Sequence, residues 1–105
     1  MSLAQVVNLS YVEFDPTVDD EARLDTRARF VLGADGRVRV YARTENFRDH
    51  VLPELIGGPP DSQMNGRAFL DTLRQLINGS ALTTSEVVEM DEAAAREGFP
   101  YEYGA

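Results

Sequence analysis

The segment Ala28-Arg29-Phe30-Val31-Leu32-Gly33-Ala34-Asp35-Gly36-Arg37-Val38-Arg39-Val40-Tyr41-Ala42-Arg43 constrains the fold more than any other part of the chain. Two alternating apolar and polar runs flank a glycine-bearing tip, which is the pattern of a β-hairpin. The apolar residues share one face only when Leu32 lies opposite Val38, Phe30 opposite Val40 and Ala28 opposite Ala42. That register requires an odd loop. Ala34-Asp35-Gly36 supplies it as a type I turn ending in a left-handed residue, a conformation that glycine adopts without a Cβ penalty. A tighter Asp35-Gly36 turn would set Leu32 against Arg39, and a slip of one residue would carry the whole apolar set to the wrong side. The same choice sends Arg27, Arg29, Val31, Arg39, Tyr41 and Arg43 to the other face.

At 105 residues, with 43% hydrophobic and 27% charged, the chain is expected to form a single domain, 1–105. A domain of this size buries about two thirds of the surface its unfolded form exposes. The absence of cysteine excludes a disulfide framework, a thiolate zinc site and a cysteine nucleophile. A net charge of −8 repels a phosphate backbone, so nucleic acid is not the expected partner. All ten basic residues are arginine, a mark of coding bias or of adaptation to salt rather than of mechanism. Residues Met1 to Asn8 lack the basic start and apolar run of a secretory signal, and no apolar stretch reaches membrane-spanning length. The expectation is a cytoplasmic protein with no membrane association.

Along the chain, residues from about Val6 to Phe14 read as a first strand, with Val6, Asn8, Ser10, Val12 and Phe14 on one side and Val7, Leu9, Tyr11 and Glu13 on the other. Asp15-Pro16 opens an acidic connection from Thr17 to Asp25, and hairpin strands near 27–33 and 37–43 complete an antiparallel meander of three strands. Behind a Thr44 cap, Phe47, Val51, Leu55 and Ile56 recur at helical spacing, and Pro53 is expected to limit that helix to about two turns. Gly57-Gly58-Pro59-Pro60 reads as a loop. Phe69, Leu70, Leu73, Leu76 and Ile77 define an amphipathic helix that starts between Ser62 and Gly66 and stops at Asn78-Gly79. Thr83, Thr84, Val87 and Val88 favour a fourth strand to about Met90, although Ser85-Glu86 could instead open a helix. A short helix from Asp91 to Glu97 follows, stopped by Gly98. The fold class is therefore α+β: a two-layer sandwich in which an antiparallel meander of three, or with 82–90 four, strands carries helices on one face. Its core should hold Val12, Phe14, Phe30, Leu32, Val38, Val40, Phe69, Leu70, Leu73, Leu76 and Ile77.

Candidate sites are few. Arg27, Arg29, Arg39 and Arg43 share the second hairpin face with Tyr41, and like charges opposed across strands destabilise a sheet unless anions intervene. Those anions are either internal, from Glu13, Asp15 or the acidic connection through Asp25, or they belong to a bound acidic partner. One tyrosine is too little for a base-stacking platform. Asp15, Asp19, Asp20, Glu21 and Asp25 lack the alternate-residue ligands and central glycine of a calcium loop, so no metal is expected. His50 is the single histidine, flanked by Asp49 and Glu54 with Ser62 downstream, and sequence proximity does not assemble a catalytic set. The Gly57–Pro60 loop lacks a phosphate-loop ending, although amides near Ser62 to Arg67 could meet an anion. In the tail, Phe99, Tyr101 and Tyr103 alternate and point the same way if the segment is extended, a surface that calls for docking on this chain or on a second copy.

The usual nucleophile, metal, cofactor and phosphate signatures are missing, while two contact surfaces are present. The leading expectation is a small acidic interaction module rather than an enzyme, acting as a homodimer or on another protein through Arg27, Arg29, Arg39, Tyr41 and Arg43 or through Phe99, Tyr101 and Tyr103. The rival is a small-ligand protein or enzyme with an anionic substrate between sheet and helices, held by Arg39, Arg43 or Arg67 with His50 as acid or base. A nucleic-acid decoy is a third reading, and needs Asp19, Asp20 and Glu21 in an exposed row.

Overall fold

Alternation of apolar and polar residues dominates the first half of the chain, and the chain answers it with strands. The computed structural model describes residues 3–13, 23–56, 66, 68, 70–71 and 82–104. The strands are β1 (Leu3–Glu13), β2 (Arg23–Leu32), β3 (Val38–Ala42), β4 (Leu82–Thr84), β5 (Val88–Asp91) and β6 (Tyr101–Tyr103). They form one antiparallel sheet in the order β4-β1-β2-β3-β6, with β5 also paired to β1.

The hairpin register is the one the apolar pattern requires: Ala28 opposite Ala42, Phe30 opposite Val40 and Leu32 opposite Val38. At its tip Gly36 has φ 79°, its N–H donates to the Gly33 carbonyl at 3.0 Å, and the Gly33 N–H donates to the Arg37 carbonyl at 3.0 Å. Asp35 Oδ1 accepts from the Arg37 N–H at 3.1 Å, which fixes the turn from a side chain as well.

Two helical pieces follow directly. A π-helical turn, Phe47–Val51, runs into α1 (Leu52–Ile56). Thr44 caps this segment, its Oγ1 accepting the Phe47 N–H at 3.2 Å. The helix does not break at Pro53 as the sequence suggests. A proline has no N–H to return to the preceding turn, and here that turn widens so that the Leu52 N–H reaches the Phe47 carbonyl five residues back. Gly66, Ala68, Leu70 and Asp71 are also helical. Gly66 sits hard against the hairpin, where a Cβ would come within 2.5 Å of Leu32 Cδ1 and 2.7 Å of the Gly36 carbonyl. The last helix, α2 (Glu92–Arg96), is capped by Asp91, whose Oδ1 accepts from the Ala93 N–H at 2.9 Å.

The sheet therefore has apolar cover on each side. On the first face Val7, Leu9, Ala28, Phe30, Val40 and Ala42 pack with Phe47, Leu52 and Leu70; on the second, Ala4, Val6, Val31 and Tyr41 pack with Ala95 and Phe99. The α+β sandwich expected from the sequence stands, with a wider sheet and with α2, the short helix expected over 91–97, on the face opposite the main helical layer rather than beside it.

Several details differ. The strand expected over 82–90 is split at Ser85–Val87, because that stretch holds one residue more than the β1 residues between the two paired runs. β1 begins at Leu3, and it is Val7 and Leu9 that join Phe30, while Val6 goes to the second face. β2 starts at Arg23, which brings Asp25, assigned to the acidic connection, into the strand. Between Leu9 and Ser10 the register shifts so that Arg27 is the extra residue on β2. Of the expected core, Phe30, Val40 and Leu70 are buried, and Leu32 and Val38 are packed against them. Phe14, Phe69, Leu73, Leu76, Ile77 and the side chain of Val12 lie outside the described residues.

Candidate functional site

Strand parity carries Arg29, Arg39 and Tyr41 to the second face, whereas Arg27, the extra residue of the β2 bulge, and Arg43, beyond the end of β3, leave the row expected for all five; the fold turns most of this group toward the chain itself. Arg29 is at the centre. Its Nε donates to Asn8 Oδ1 at 2.9 Å, and its Nη1 donates to the carbonyls of Ala94 at 3.3 Å and Ala95 at 3.1 Å, at the end of α2. Its guanidinium carbon lies 4.4 Å from the centre of the Phe99 ring. A cation against the carbonyls of a helix end and an aromatic face is favourably placed. Burial pulls the Arg29 pKa down, with Glu97 opposing that shift.

The other arginines are held separately. Arg39 Nη2 pairs with Asp35 Oδ2 at 2.9 Å across the hairpin tip. This guanidinium, with the Arg37 N–H, holds the Asp35 carboxyl down at about 2. Arg43 Nη1 meets Asp25 Oδ2 at 2.7 Å, and Arg27 is buried at 3% exposure. Tyr41 is buried beneath Arg96, whose guanidinium carbon is 5.0 Å from the ring centre, and burial raises the Tyr41 pKa, with Glu102 adding to the rise. The internal anion that the sequence required is thus Asp25 for Arg43, as anticipated, and Asp35 for Arg39, which was not.

The aromatic tail does not present three rings on one side. Glu97 is extended, Gly98 has φ 77° and the Phe99 N–H donates to the Arg96 carbonyl at 2.9 Å. These values describe a type II turn with glycine at its third position. It drops Phe99 into the second-face cluster, whereas Tyr101 and Tyr103, beyond Pro100, pack against the first. β6 itself pairs with β3, so the tail extends this chain's own sheet.

His50 lies on the π-helical turn and is exposed. That segment covers the first face, so His50 lies on the side of the sheet opposite Arg29 and Arg39. Its neighbour Asp49 pairs with Arg48 Nε at 2.8 Å, which holds the carboxyl below its usual range, and Glu54 is exposed. Ser62, Arg67, the Gly57–Pro60 loop and Asp15, Asp19, Asp20 and Glu21 lie outside the described residues. Among the described residues no three His, Asp or Glu side chains gather as a metal site would require, and no helix is long and apolar enough to cross a membrane.

Sequence reasoning missed Asn8, Arg96 and the carbonyls of Ala94 and Ala95 as the groups that engage this face. Nothing periodic could have announced them, since the bonds from Arg29 to α2 span 65 and 66 residues. What remains outward is acidic. Among the described side chains Asp35, Glu45, Asp49, Glu54, Asp71, Glu86, Glu89 and Glu97 are exposed, against two exposed arginines, Arg37 and Arg96. No family model, curated protein or solved structure matches the chain.

Proposed function

We infer that this chain is a small acidic interaction module rather than an enzyme, and that it acts on a protein partner of opposite charge. The observation that carries the reading is the internal engagement of Arg29, Arg39 and Arg43 with α2, Asp35 and Asp25, beside an exposed set of carboxylates. Charge arranged in this way steers encounter with cationic surfaces.

Two further features support it over an anion-binding site between the layers. Phe30, Leu9, Leu52 and Leu70 are fully buried where sheet and helices meet, so apolar side chains occupy that space. His50 and Arg39 sit on opposite sides of the sheet, and Arg43 is paired with Asp25. A homodimer built on Phe99, Tyr101 and Tyr103 has less to recommend it, since Phe99 is buried at 6% exposure and β6 pairs within the chain.

The test sets the two readings against each other. Thermal stability is measured with phosphorylated sugars, nucleotides and dicarboxylates, and fluorescence anisotropy is measured with labelled oligo-arginine and oligo-glutamate peptides. The module reading expects salt-sensitive binding of the basic peptide and no stabilisation by the small anions. Saturable stabilisation by a small anion that is lost in Arg39→Ala and Arg43→Ala would overturn it.

A further inference from the structure

Along the edge of the sheet formed by β4 and β5, main-chain groups of β5 turn away from the ladder. Asn8 uses both its main-chain groups toward this side: its N–H donates to Ser85 Oγ at 3.0 Å and its carbonyl accepts the Ser85 N–H at 2.9 Å. Main-chain groups alternate sides along a strand, so Val6 and Ala4 also face the edge strand, where they lie opposite Val88 and Met90. Val88 and Met90 therefore direct their N–H and carbonyl groups inward to β1. Glu89, one residue out of phase, directs both of its groups away from the sheet, as does the Asp91 N–H, while the Asp91 carbonyl, at the N-cap of α2, takes the first helical hydrogen bond.

Side chains on β5 add to this. Val88 is an exposed large apolar residue at 38%, on the face opposite to that of Leu3. Glu86 and Glu89 are exposed, and Asp91 is half-buried. A strand edge with outward main-chain groups, an exposed Val88 and the exposed carboxylates of Glu86 and Glu89 suits one occupant best: an extended, arginine- or lysine-bearing segment of another protein.

A second copy of this chain fits poorly. Antiparallel self-pairing of β5 about Met90 would set Glu89 of one copy against Asp91 of the other, and pairing about Glu89 would oppose the two Glu89 carboxylates. Like charges directly opposed across strands are destabilising, and charged edge residues are a common guard against such pairing.

We propose that β5 is the docking edge of the module, and that it takes a basic extended peptide as an added strand beside Val88–Asp91. The proposal rests on the interaction-module reading and specifies its surface and partner chemistry. The added strand places basic side chains beside Glu89 and an apolar one over Val88, while hydrogen bonds to the Glu89 N–H and carbonyl and to the Asp91 N–H set its direction.

The probe is a labelled peptide of alternating arginine and valine, compared with the same peptide N-methylated at alternate residues. N-methylation leaves the charge intact and removes the strand's donors. The expected result is binding at least about tenfold weaker for the N-methylated peptide, and a loss of similar size for Glu89→Lys. Glu54→Lys makes the same charge change at an exposed position on α1 and should lose much less. Amide shifts should concentrate at Val88–Asp91. Equal binding of both peptides, or equal losses in the two variants, overturns strand addition while leaving the acidic module intact. Binding of neither peptide overturns both, and a dimer in sedimentation velocity that Glu89→Lys dissolves would assign the edge to self-association instead.

Discussion

The two faces of the sheet are closed by different physics. On the first, Phe30, Val7, Leu9 and Val40 meet Phe47, Leu52 and Leu70, and apolar area alone does the work. On the second, Val6, Val31 and Tyr41 meet Ala95 and Phe99, while Arg29 ties α2 down through two carbonyls and an aromatic ring. Area-driven contact tolerates small shifts, and its strength grows with the surface removed from water, at about 25 cal/mol per Å2. Directional contact through one side chain is a hinge point, because its loss frees a whole segment while the rest of the sheet stays paired. Regions held by few buried contacts open locally before the global transition.

The largest expected effect lies on the first face. Phe30→Ala removes a fully buried ring, and should lower unfolding free energy by about 3–5 kcal/mol in urea melts, with both faces lost in one transition. Survival of the variant with less than about 1 kcal/mol lost would mean that the first face is not the main source of stability.

A middle-sized effect distinguishes the second face. Arg29→Ala should cost about 1–2 kcal/mol, the lower part of the range for charged hydrogen bonds because the group is half-exposed. Amide exchange should accelerate from Glu92 to Tyr103 and change little in β1, β2 and β3. Uniform acceleration would erase the contrast between the faces.

The smallest effect concerns the hairpin tip. Folding depresses the Asp35 pKa to about 2, so its contribution is complete above the ordinary carboxylate range and is lost as pH falls from about 5 toward 2. Asp35→Asn should therefore match the wild type near pH 2 and fall slightly behind it above about pH 5, read as urea midpoints across that window. A wild-type advantage that grew on acidification would reverse the sign and reject the pairing with Arg39.

The contrast also explains what was legible in the sequence. Parity fixed the hairpin register, because one slip would have put Phe30 and Val40 on the wrong side, and Gly36 and Gly98 marked turns that need positive φ. The strand after Leu82 announced itself through β-branched residues, although the break at Ser85–Val87 did not. Contacts between Arg29 and α2 were invisible, since they join distant segments through a side chain and main-chain carbonyls that any residue supplies. The tail was misread because alternation assumes an extended chain, and the turn at Gly98 redirects Phe99 alone. Pro53 was misread because a helix can widen a turn as readily as end. The candidate site followed the same division: the arginines were found, but their internal partners were not, apart from Asp25.

The central claim is that the arginine face is closed by the chain's own groups and that acidic chemistry faces outward. Arginine labelling with phenylglyoxal on the native protein, read residue by residue by mass spectrometry, tests it directly. Arg37 and Arg96 should modify rapidly, while Arg27, Arg29 and Arg43 should be protected until the protein unfolds. Equal modification of Arg29, Arg43 and Arg37 under native conditions would contradict the account.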